Sequence, residues 1–257
     1  MTFENMLPGI DNLKKELDGL RPLSSGQVKS LKTYFDIELT YNSNAIEGST
    51  LSLSETKIIL LDGITIGGKS TREHLEAINH REAIGYIEEL ARLSSREITR
   101  SAVLGIHAII LRGIDSPNAG KYRTVNVYVM QAEGRRHVFP EPLRVPELMD
   151  GFFTWLQQPG ELHPVALASE AHYRFVSIHP FVDGNGRTAR LLMNLILMQC
   201  GYIPAIVKMA DRAKYIEAIE SAQQTGNMEP FYVLMADALK ESLEVYLKTI
   251  KENILWK

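Results

Sequence analysis

The run from His179 to Arg190 reads HPFVDGNGRTAR and gathers several chemically useful side chains in one short stretch of chain. Histidine titrates near neutral pH, so His179 could accept a proton from a substrate. The carboxylate of Asp183 is a ligand type that holds a divalent cation beside phosphate groups. Arg187 and Arg190 offer planar guanidinium groups that match phosphate oxygens. Together these residue types indicate a site that handles a nucleotide phosphate next to a proton acceptor.

The glycines on either side of Asn185 add a binding element made of backbone. A turn through Gly184, Asn185 and Gly186 lets amide groups point at an anion, and it opens a predicted helix whose dipole favours negative charge. Taken one at a time, a histidine is more often packed, a Gly-Asn-Gly more often a plain turn, and an arginine pair more often a solvated helix face. The inference therefore depends on their occurring together and in order.

Composition limits the classes of protein that the chain could be. Its 257 residues, 45% apolar and 23% charged, are enough for one sizeable core. The net charge of −3 lacks the excess of positive charge that is typical of nucleic-acid-binding proteins. The single cysteine excludes an internal disulfide, and neither a signal peptide nor a membrane-spanning run is visible. We expect a cytoplasmic protein that binds neither nucleic acid nor membrane.

Helical periodicity and N-terminal capping signals run through nearly the whole chain. Ser24-Ser25 opens a helix that ends near Gly48, Ser52 with Glu55 and Ser70 with Glu73 form capping boxes, and Ser95 is the expected cap of a further helix. Later helices are predicted at about 146–156, 164–178, 186–200, 211–224 and 229–253. The fold class predicted from these patterns is all-α.

The clearest strand signal lies within residues 124–138. Val125–Val129 alternates with period two, Gln131–Gly134 supplies a turn, and His137–Phe139 begins a return strand. One small β-hairpin in a helical protein suggests a specific purpose.

A second motif offers an alternative location for a nucleotide-binding site. Residues 63–70 read GITIGGKS and match the P-loop pattern G-x-x-x-x-G-K-S. A P-loop needs a preceding strand within a parallel sheet, whereas the capping box of Ser52 and Glu55 predicts a helix there. We interpret the segment as a glycine-rich connection between two helices, with Ser70 as the N-cap of the second.

The ordered string H-P-F-x-D-G-N-G-R-x-x-R resembles the signature of Fic-domain proteins. Further similarity lies in Gly120-Lys121-Tyr122-Arg123 before the hairpin, in the segment from Leu162 to His179, and in Asp211-Arg212 with Tyr215. The resemblance implies a single Fic-type helical domain with a small β-hairpin flap. Residues 1–60 would form an N-terminal helical segment and residues 61–257 the catalytic core with the C-terminal helices.

Membership of that family implies transfer of AMP from ATP to a Ser, Thr or Tyr hydroxyl of a target protein, with Mg²⁺ or Mn²⁺ as cofactor. His179 would be the general base and Asp183 the metal ligand. Gly184, Asn185, Gly186 and Arg187 would hold the α- and β-phosphates, and Arg190 would meet the γ-phosphate. The nucleotide-binding set implied by the resemblance also includes Val127, Tyr128, Val129 and Met130 of the flap, which would align the target as an added strand, and Tyr215 and Gln223 at the adenosine. Met130 stands where close relatives often have Gly, and Gln223 where Asn is usual.

The sequence from Ser43 to Gly48, SNAIEG, fits the inhibitory pattern S/T-x-x-x-E-G/N of the same family. Ser43 and Glu47 are one helical turn apart. The resemblance implies that Glu47 pairs with Arg190 and so keeps the γ-phosphate of ATP from its productive position.

Other functions remain open at this stage. Within the same family, the enzyme could mainly remove AMP from a modified protein, or use another nucleotide or a phosphocholine donor. From a different class, the chain could bind nucleotide without turnover and act as a regulator. The sequence also leaves open whether the chain forms a homodimer.

Overall fold

The computed structural model describes residues 2–93, 97–130, 134, 136–158, 160–252 and 254, and these residues are mainly α-helical. The predicted fold class is confirmed, since the only sheet in the described part is a two-stranded hairpin. The helices are α1 Phe3–Gly19, α2 Ser25–Ile46, α3 Leu53–Asp62, α4 Thr71–Arg92, α5 Arg100–Ile110, α6 Val145–Gln157, α7 Pro164–Ile178, α8 Asn185–Gln199, α9 Arg212–Thr225 and α10 Glu229–Lys251.

The chain divides into two compact units. The first consists of residues 1–77 and 200–257, in which α1 packs on α10, α2 packs on α3, and α9 packs on α10. The second consists of residues 78–199, in which α8 packs against both α7 and α5. Almost every residue of α8 from Asn185 to Leu197 is buried, so this helix is the centre of the second unit.

The capping signals identify the helix starts correctly. Ser24 accepts from the backbone N–H of Gln27 and caps α2, and Ser52 with Glu55 forms a complete capping box at α3. Ser70 Oγ accepts from the N–H of Glu73, whose carboxylate accepts from the Ser70 N–H in return. Such caps act within one turn of chain, so a single sequence is enough to find them.

Two helix assignments need correction. Helix α5 begins at Arg100, and its N-cap is Thr99, whose hydroxyl accepts from the N–H of Ala102 at 3.1 Å. The predicted cap Ser95 lies outside the described residues. Helix α1 lies in the N-terminal segment that was expected to be helical, but its bounds were not predicted, because Pro8 and Gly9 lie in its interior and lower its helix propensity. Packing of its apolar face on α10 overrides that propensity.

The hairpin is shorter than predicted and shifted along the chain. Strand β1 is Tyr128–Met130 and β2 is Arg136–Val138, paired antiparallel with Val129 opposite His137. The predicted turn residues Gln131 to Glu133 lie outside the described residues. The strands do not extend back to Val125 because its carbonyl accepts from the guanidinium of Arg123 instead of from a partner strand.

The glycine-rich segment 63–70 joins α3 to α4 and is preceded by a helix rather than a strand. Lys69 does not face a phosphate-binding turn; its Nζ donates to the carbonyl of Thr50 at 2.6 Å and lies 3.6 Å from Glu55 Oε2. The P-loop reading is therefore excluded by the fold around it. None of the helices in the described ranges has both the length and the apolar character to cross a bilayer.

Candidate active site

The residues from His179 to Arg190 that were predicted to do chemistry lie in the short loop that joins α7 to α8 and in the first two turns of α8. Helix α7 begins with Pro164, where a proline costs no hydrogen bond, and His163 caps it by accepting from the Val165 N–H at 3.2 Å. The helix ends when His179 adopts the left-handed conformation, with φ of 52°. The chain then turns and enters α8 at Asn185. Both helices are largely buried, so they hold the loop as a rigid connection.

His179 is fixed by three contacts. Its carbonyl accepts from Arg123 Nε at 2.8 Å, and its ring stacks on Phe139 with centroids 3.8 Å apart. Its Nδ1 lies 3.3 Å from the carbonyl oxygen of Val176. A carbonyl oxygen can only accept, so this contact favours the tautomer with hydrogen on Nδ1 and a lone pair on Nε2. The left-handed backbone is uncommon for a side chain with a Cβ, and such strain concentrates at functional sites.

The side chain of Arg123 binds main-chain carbonyl groups of the loop and of the segments that flank the hairpin. It is 2% exposed, and its guanidinium donates to the carbonyl oxygens of His179, Val125 and Pro140, the last at 2.5 Å. Its own N–H donates to the carbonyl of Pro180 at 2.9 Å. One buried side chain therefore ties the loop to both ends of the hairpin, and burial lowers the pKa of this guanidinium from its ordinary value.

Asn185 closes the loop on itself. Its Oδ1 accepts from the N–H of Phe181 and its Nδ2 donates to the carbonyl of Phe181, both at 2.9 Å and both buried. The Asn185 side chain thus supports the loop's main chain. Its backbone N–H, in the first turn of α8, is a natural donor to an anion.

Asp183, near the end of the loop, forms an ion pair with Arg187 in the first turn of α8. Asp183 Oδ1 accepts from the N–H of Gly184 at 2.6 Å and from Arg187 Nη2 at 3.2 Å. The Arg187 side chain is 3% exposed and that of Asp183 is 41% exposed, so the carboxylate is the part of the pair that faces solvent.

The donor set fits a magnesium ion that takes most of its ligands from a nucleotide. No group of three His, Cys, Asp or Glu side chains within the described ranges could form an all-protein metal site. Magnesium is usually held by one or two carboxylates together with water and substrate phosphates, and an exposed Asp183 beside a helix N-terminus suits that arrangement.

Arg190 lies deeper, in a buried and strongly positive part of the second unit. It is 4% exposed. Burial lowers the pKa of both His80 and His172 to about 3, with the positive charge of Arg190 adding to the effect in each case and that of Arg187 adding at His80. Both histidines are therefore neutral at neutral pH, so they add no further positive charge next to the guanidinium groups.

The flap lies next to the loop within the same unit. Phe139, which stacks on His179, donates its N–H to the carbonyl of Val127 at 3.4 Å. Side chains on both strands are open to solvent; Tyr128, Val129, Met130 and Val138 are between 41% and 62% exposed. The hairpin offers short strand edges together with apolar side chains, which is the surface that an added peptide strand could use.

The other predicted residues belong to the first unit. Ser43 is buried in the last turn of α2, and Glu47 is the exposed C-cap of that helix. The end of α2 is fixed by α9, because Arg212 Nε donates to the carbonyl of Ile46 at 2.8 Å. Further along α9, Tyr215 is 2% exposed and packs on Phe231, and Gln223 is half-buried.

Three supporting residues were not assigned any role from the sequence. Arg123 and Phe139 enter the sequence analysis only as parts of motifs, and the sequence around His107 favours a packed position or one on a helix face. His107 is fully buried, stacks on Phe181 with centroids 3.5 Å apart, and contacts the carbonyl of Asp183. Burial lowers its pKa to about 4. All three act on partners far away in the sequence, and no local pattern reports such contacts.

Comparisons with known proteins identify the family of the chain. Residues 97–197 match the sequence profile of the Fic/DOC family. The chain is 37% identical over 247 residues to a protein adenylyltransferase Fic of Nematostella vectensis, which covers 95% of this chain and 56% of that protein. Similar curated proteins of Drosophila species are 36–37% identical. The chain spans about half the length of these curated relatives.

Solved structures give the same family over nearly the whole chain. A Fic domain containing signaling protein from Bacteroides thetaiotaomicron is 30% identical with a TM-score of 0.89, covering 95% of this chain and 97% of that one. Fic-1 of C. elegans, solved with a glutamate replaced by glycine, is 32% identical with a TM-score of 0.86, covering 98% and 73%. The chain belongs to the Fic/DOC family.

We predict that Asn185→Ala destabilises the protein by about 2–4 kcal/mol, because it leaves the buried N–H and C=O of Phe181 without partners and each such loss typically costs about 1–3 kcal/mol. Asn185→Asp keeps the acceptor but loses the donor, so its loss should be intermediate. Urea unfolding of the purified proteins measures both.

Asn118→Ala is the control, because it removes one partly buried hydrogen bond, to Asp115, outside the loop. Asn185→Ala as stable as this control would mean that the loop does not depend on Asn185.

Proposed function

We propose that this protein transfers AMP from ATP to a hydroxyl group of a target protein and that the α7–α8 loop is the catalytic site. The observation that carries the proposal is the position of His179 at the start of the loop that leads into the N-terminus of α8. The contact of its Nδ1 leaves Nε2 suited to accept a proton, and α8 contains two buried arginines. The relatives named protein adenylyltransferase support the same chemistry.

His179 would act on the attacking group. Its Nε2 takes the proton as the target oxygen forms a bond to the α-phosphorus of ATP. The bond from that phosphorus to the oxygen bridging to the β-phosphate breaks, and pyrophosphate leaves. A hydroxyl is a poor nucleophile until its proton is removed, and a positioned base contributes about 10²–10⁴-fold to such a step.

The start of α8 would hold the triphosphate. First-turn backbone N–H groups of a helix have no partners within the helix, and here they belong to Asn185, Gly186 and Arg187. Arg187 and Arg190 would neutralise phosphate charge from a buried position, where the lower dielectric strengthens the interaction. Asp183 would hold a magnesium ion, which supplies further charge neutralisation between phosphate oxygens.

The exposed hairpin would align the target. The main chain of Val127 to Met130 would pair with an extended segment that carries the acceptor hydroxyl, and Phe139 links the base of the hairpin to His179. Recognition by strand addition depends on main-chain hydrogen bonds more than on side-chain identity. A Met at position 130, in place of the usual Gly, is compatible with such pairing.

Glu47 would restrain the reaction. The proposal rests on the SNAIEG pattern and on the position of Glu47 as the C-cap of α2. The hydrogen bond from Arg212 to the carbonyl of Ile46 holds this end of the helix in place. In this proposal the Glu47 carboxylate competes with the γ-phosphate of ATP for Arg190. The same carboxylate could orient a water for removal of AMP, which is the alternative activity of this site.

We predict that His179→Asn abolishes AMP transfer while ATP affinity stays within about threefold of wild type, because the base acts in the chemical step and not in nucleotide recognition. Asparagine tolerates the left-handed backbone better than alanine, so it removes the base with less strain. Labelling with radioactive ATP and calorimetry measure the two quantities.

His163→Asn is the matched control at the opposite end of α7, where asparagine keeps an N-cap acceptor. Transfer by His179→Asn at the rate of this control would rule out His179 as the base.

We predict that transfer requires Mg²⁺ or Mn²⁺ and that Asp183→Asn lowers it at least about tenfold, since the carboxylate would be the protein's metal ligand. Titration of wild type and variant with Mg²⁺ at fixed ATP measures the loss. Lys69→Ala serves as the control, because Lys69 belongs to the excluded P-loop motif and should leave the metal dependence unchanged. Undiminished transfer in excess EDTA would contradict the metal role of Asp183.

We predict that Glu47→Gly raises transfer, including self-modification, by about 5–150-fold, the range expected when a competing contact of about 1–3 kcal/mol is removed. Glycine at a helix C-cap should be tolerated, so the variant should remain folded. Intact-protein mass spectrometry after incubation with ATP measures the modification.

Glu47→Gln keeps the side-chain length without the charge and should release only part of the restraint. The double variant Glu47→Gly with Arg190→Ala should lose the gain. Equal labelling of wild type and Glu47→Gly at saturating ATP would disprove the restraint and leave the proposed transfer activity intact.

A further inference from the structure

His107 is a buried histidine on α5 that contacts two separate segments of the second unit. Its Nε2 lies 3.0 Å from the carbonyl oxygen of Asp183, and its Nδ1 accepts from the backbone N–H of Gly120 at 3.0 Å. Gly120 begins the Gly-Lys-Tyr-Arg segment that leads into the hairpin. One imidazole ring thus connects the loop that carries the candidate metal ligand with the segment that leads to the flap.

The directions of these hydrogen bonds follow from the partners. A backbone N–H can only donate and a carbonyl oxygen can only accept. Nδ1 must therefore carry the lone pair and Nε2 the hydrogen, which is the opposite tautomer to the one favoured at His179. The ring is held edge-on to both partners because its face stacks on Phe181 at an interplanar angle of 2°.

The backbone at Gly120 is built for this contact. Its φ is 68°, and a Cβ there would lie 3.0 Å from the Cβ of Ala108 and 3.1 Å from the carbonyl oxygen of Leu104. A side chain at this position would push the segment away from α5 and break its contact with His107. The hydrogen bond from Gly120 to His107 thus depends on the close packing of this segment against α5.

We infer that His107 is a positioning residue for nucleotide transfer, which orients Asp183 by holding its carbonyl. The inference rests on the proposed function, since it assigns His107 to the same reaction. The carbonyl of Asp183 is held by His107, and its carboxylate must meet a metal ion at a defined distance. Groups that orient a metal ligand typically contribute about 10–100-fold to metal affinity or activity.

Two substitutions separate the two hydrogen bonds. The amide nitrogen of glutamine reaches the place of Nε2, so His107→Gln keeps the donor to Asp183. The amide of asparagine reaches only the place of Nδ1, so His107→Asn keeps the acceptor for Gly120. His107→Phe keeps the stacking on Phe181 and loses both bonds. Glutamine should therefore rescue function where asparagine and phenylalanine do not.

Metal binding provides a readout that does not depend on turnover. We expect the Mn²⁺ concentration for half-saturation in the presence of α,β-methylene-ATP to rise about 10–100-fold in His107→Asn and His107→Phe, and to stay within about threefold of wild type in His107→Gln. Affinity for the same analogue in EDTA should be alike in all four proteins. The transfer rate constant at saturating Mg²⁺ should follow the same order as the metal affinities.

Asn79→Ala is the control for general destabilisation. Asn79 is buried and donates to the carbonyl oxygens of Ile110 and Arg112 at the end of the same helix, without contacting the loop. It should lower the melting temperature and leave the Mn²⁺ half-saturation unchanged. A rise in that concentration in Asn79→Ala equal to that in His107→Asn would show that His107 acts through stability alone, and would overturn the inference.

The tautomer of His107 tests the geometry independently of any activity. Nitrogen NMR of the histidine-labelled protein should show the hydrogen on Nε2 of His107, and the opposite tautomer would also overturn the inference. If wild type transfers no AMP while the tautomer and the metal-binding order are as expected, the proposed function fails and the positioning role of His107 stands. If wild type transfers AMP but His107→Gln binds Mn²⁺ as weakly as His107→Asn does, the proposed function stands and the positioning role of His107 fails.

Discussion

The structure depends on satisfying the main chain of a polar loop that is enclosed by apolar helices. Between His179 and Asn185 the chain leaves one buried helix and enters another. The main-chain N–H and C=O groups of this loop therefore lack the regular hydrogen-bond partners that a helix or a sheet would provide. Buried backbone groups without partners are costly, and each must be paired by a side chain. Arg123, Asn185 and His107 perform that task, and every other feature of the site follows from where they hold the backbone.

These supports bind main-chain groups of the loop through side chains other than the proposed base and the proposed metal ligand. The carbonyl of His179 is bound by Arg123, so the ring can be set by Phe139 and by the contact of Nδ1 with Val176. The amide of Asn185 supports the loop, and in the proposed function the helix N-terminus and the two arginines bind the phosphates. Low pKa values keep His80 and His172 neutral beside Arg190, which leaves the arginines as the source of positive charge. The arrangement suits a substrate with several negative charges.

Much of the fold and the centre of the site could be predicted because their signals are local. The caps at Ser52 and Ser70 act over three residues, and the loop at His179 combines a helix end, a glycine turn and a helix start within a few positions. The supporting residues could not be predicted, since Arg123 meets His179 across 56 positions and His107 meets Asp183 across 76. The hairpin bounds were wrong for the same reason, because Arg123 takes a carbonyl that a strand would otherwise use.

The fate of the α-phosphate of ATP tests the central claim most directly. Glu47→Gly protein would be incubated in parallel with ATP labelled at the α-phosphate and with ATP labelled at the γ-phosphate, each with Mg²⁺. Transfer of AMP predicts that protein retains the α-label and none of the γ-label, with pyrophosphate released in equal amount. Retention of the γ-label, or of neither label while ATP binds, would contradict an adenylyl transfer at this loop.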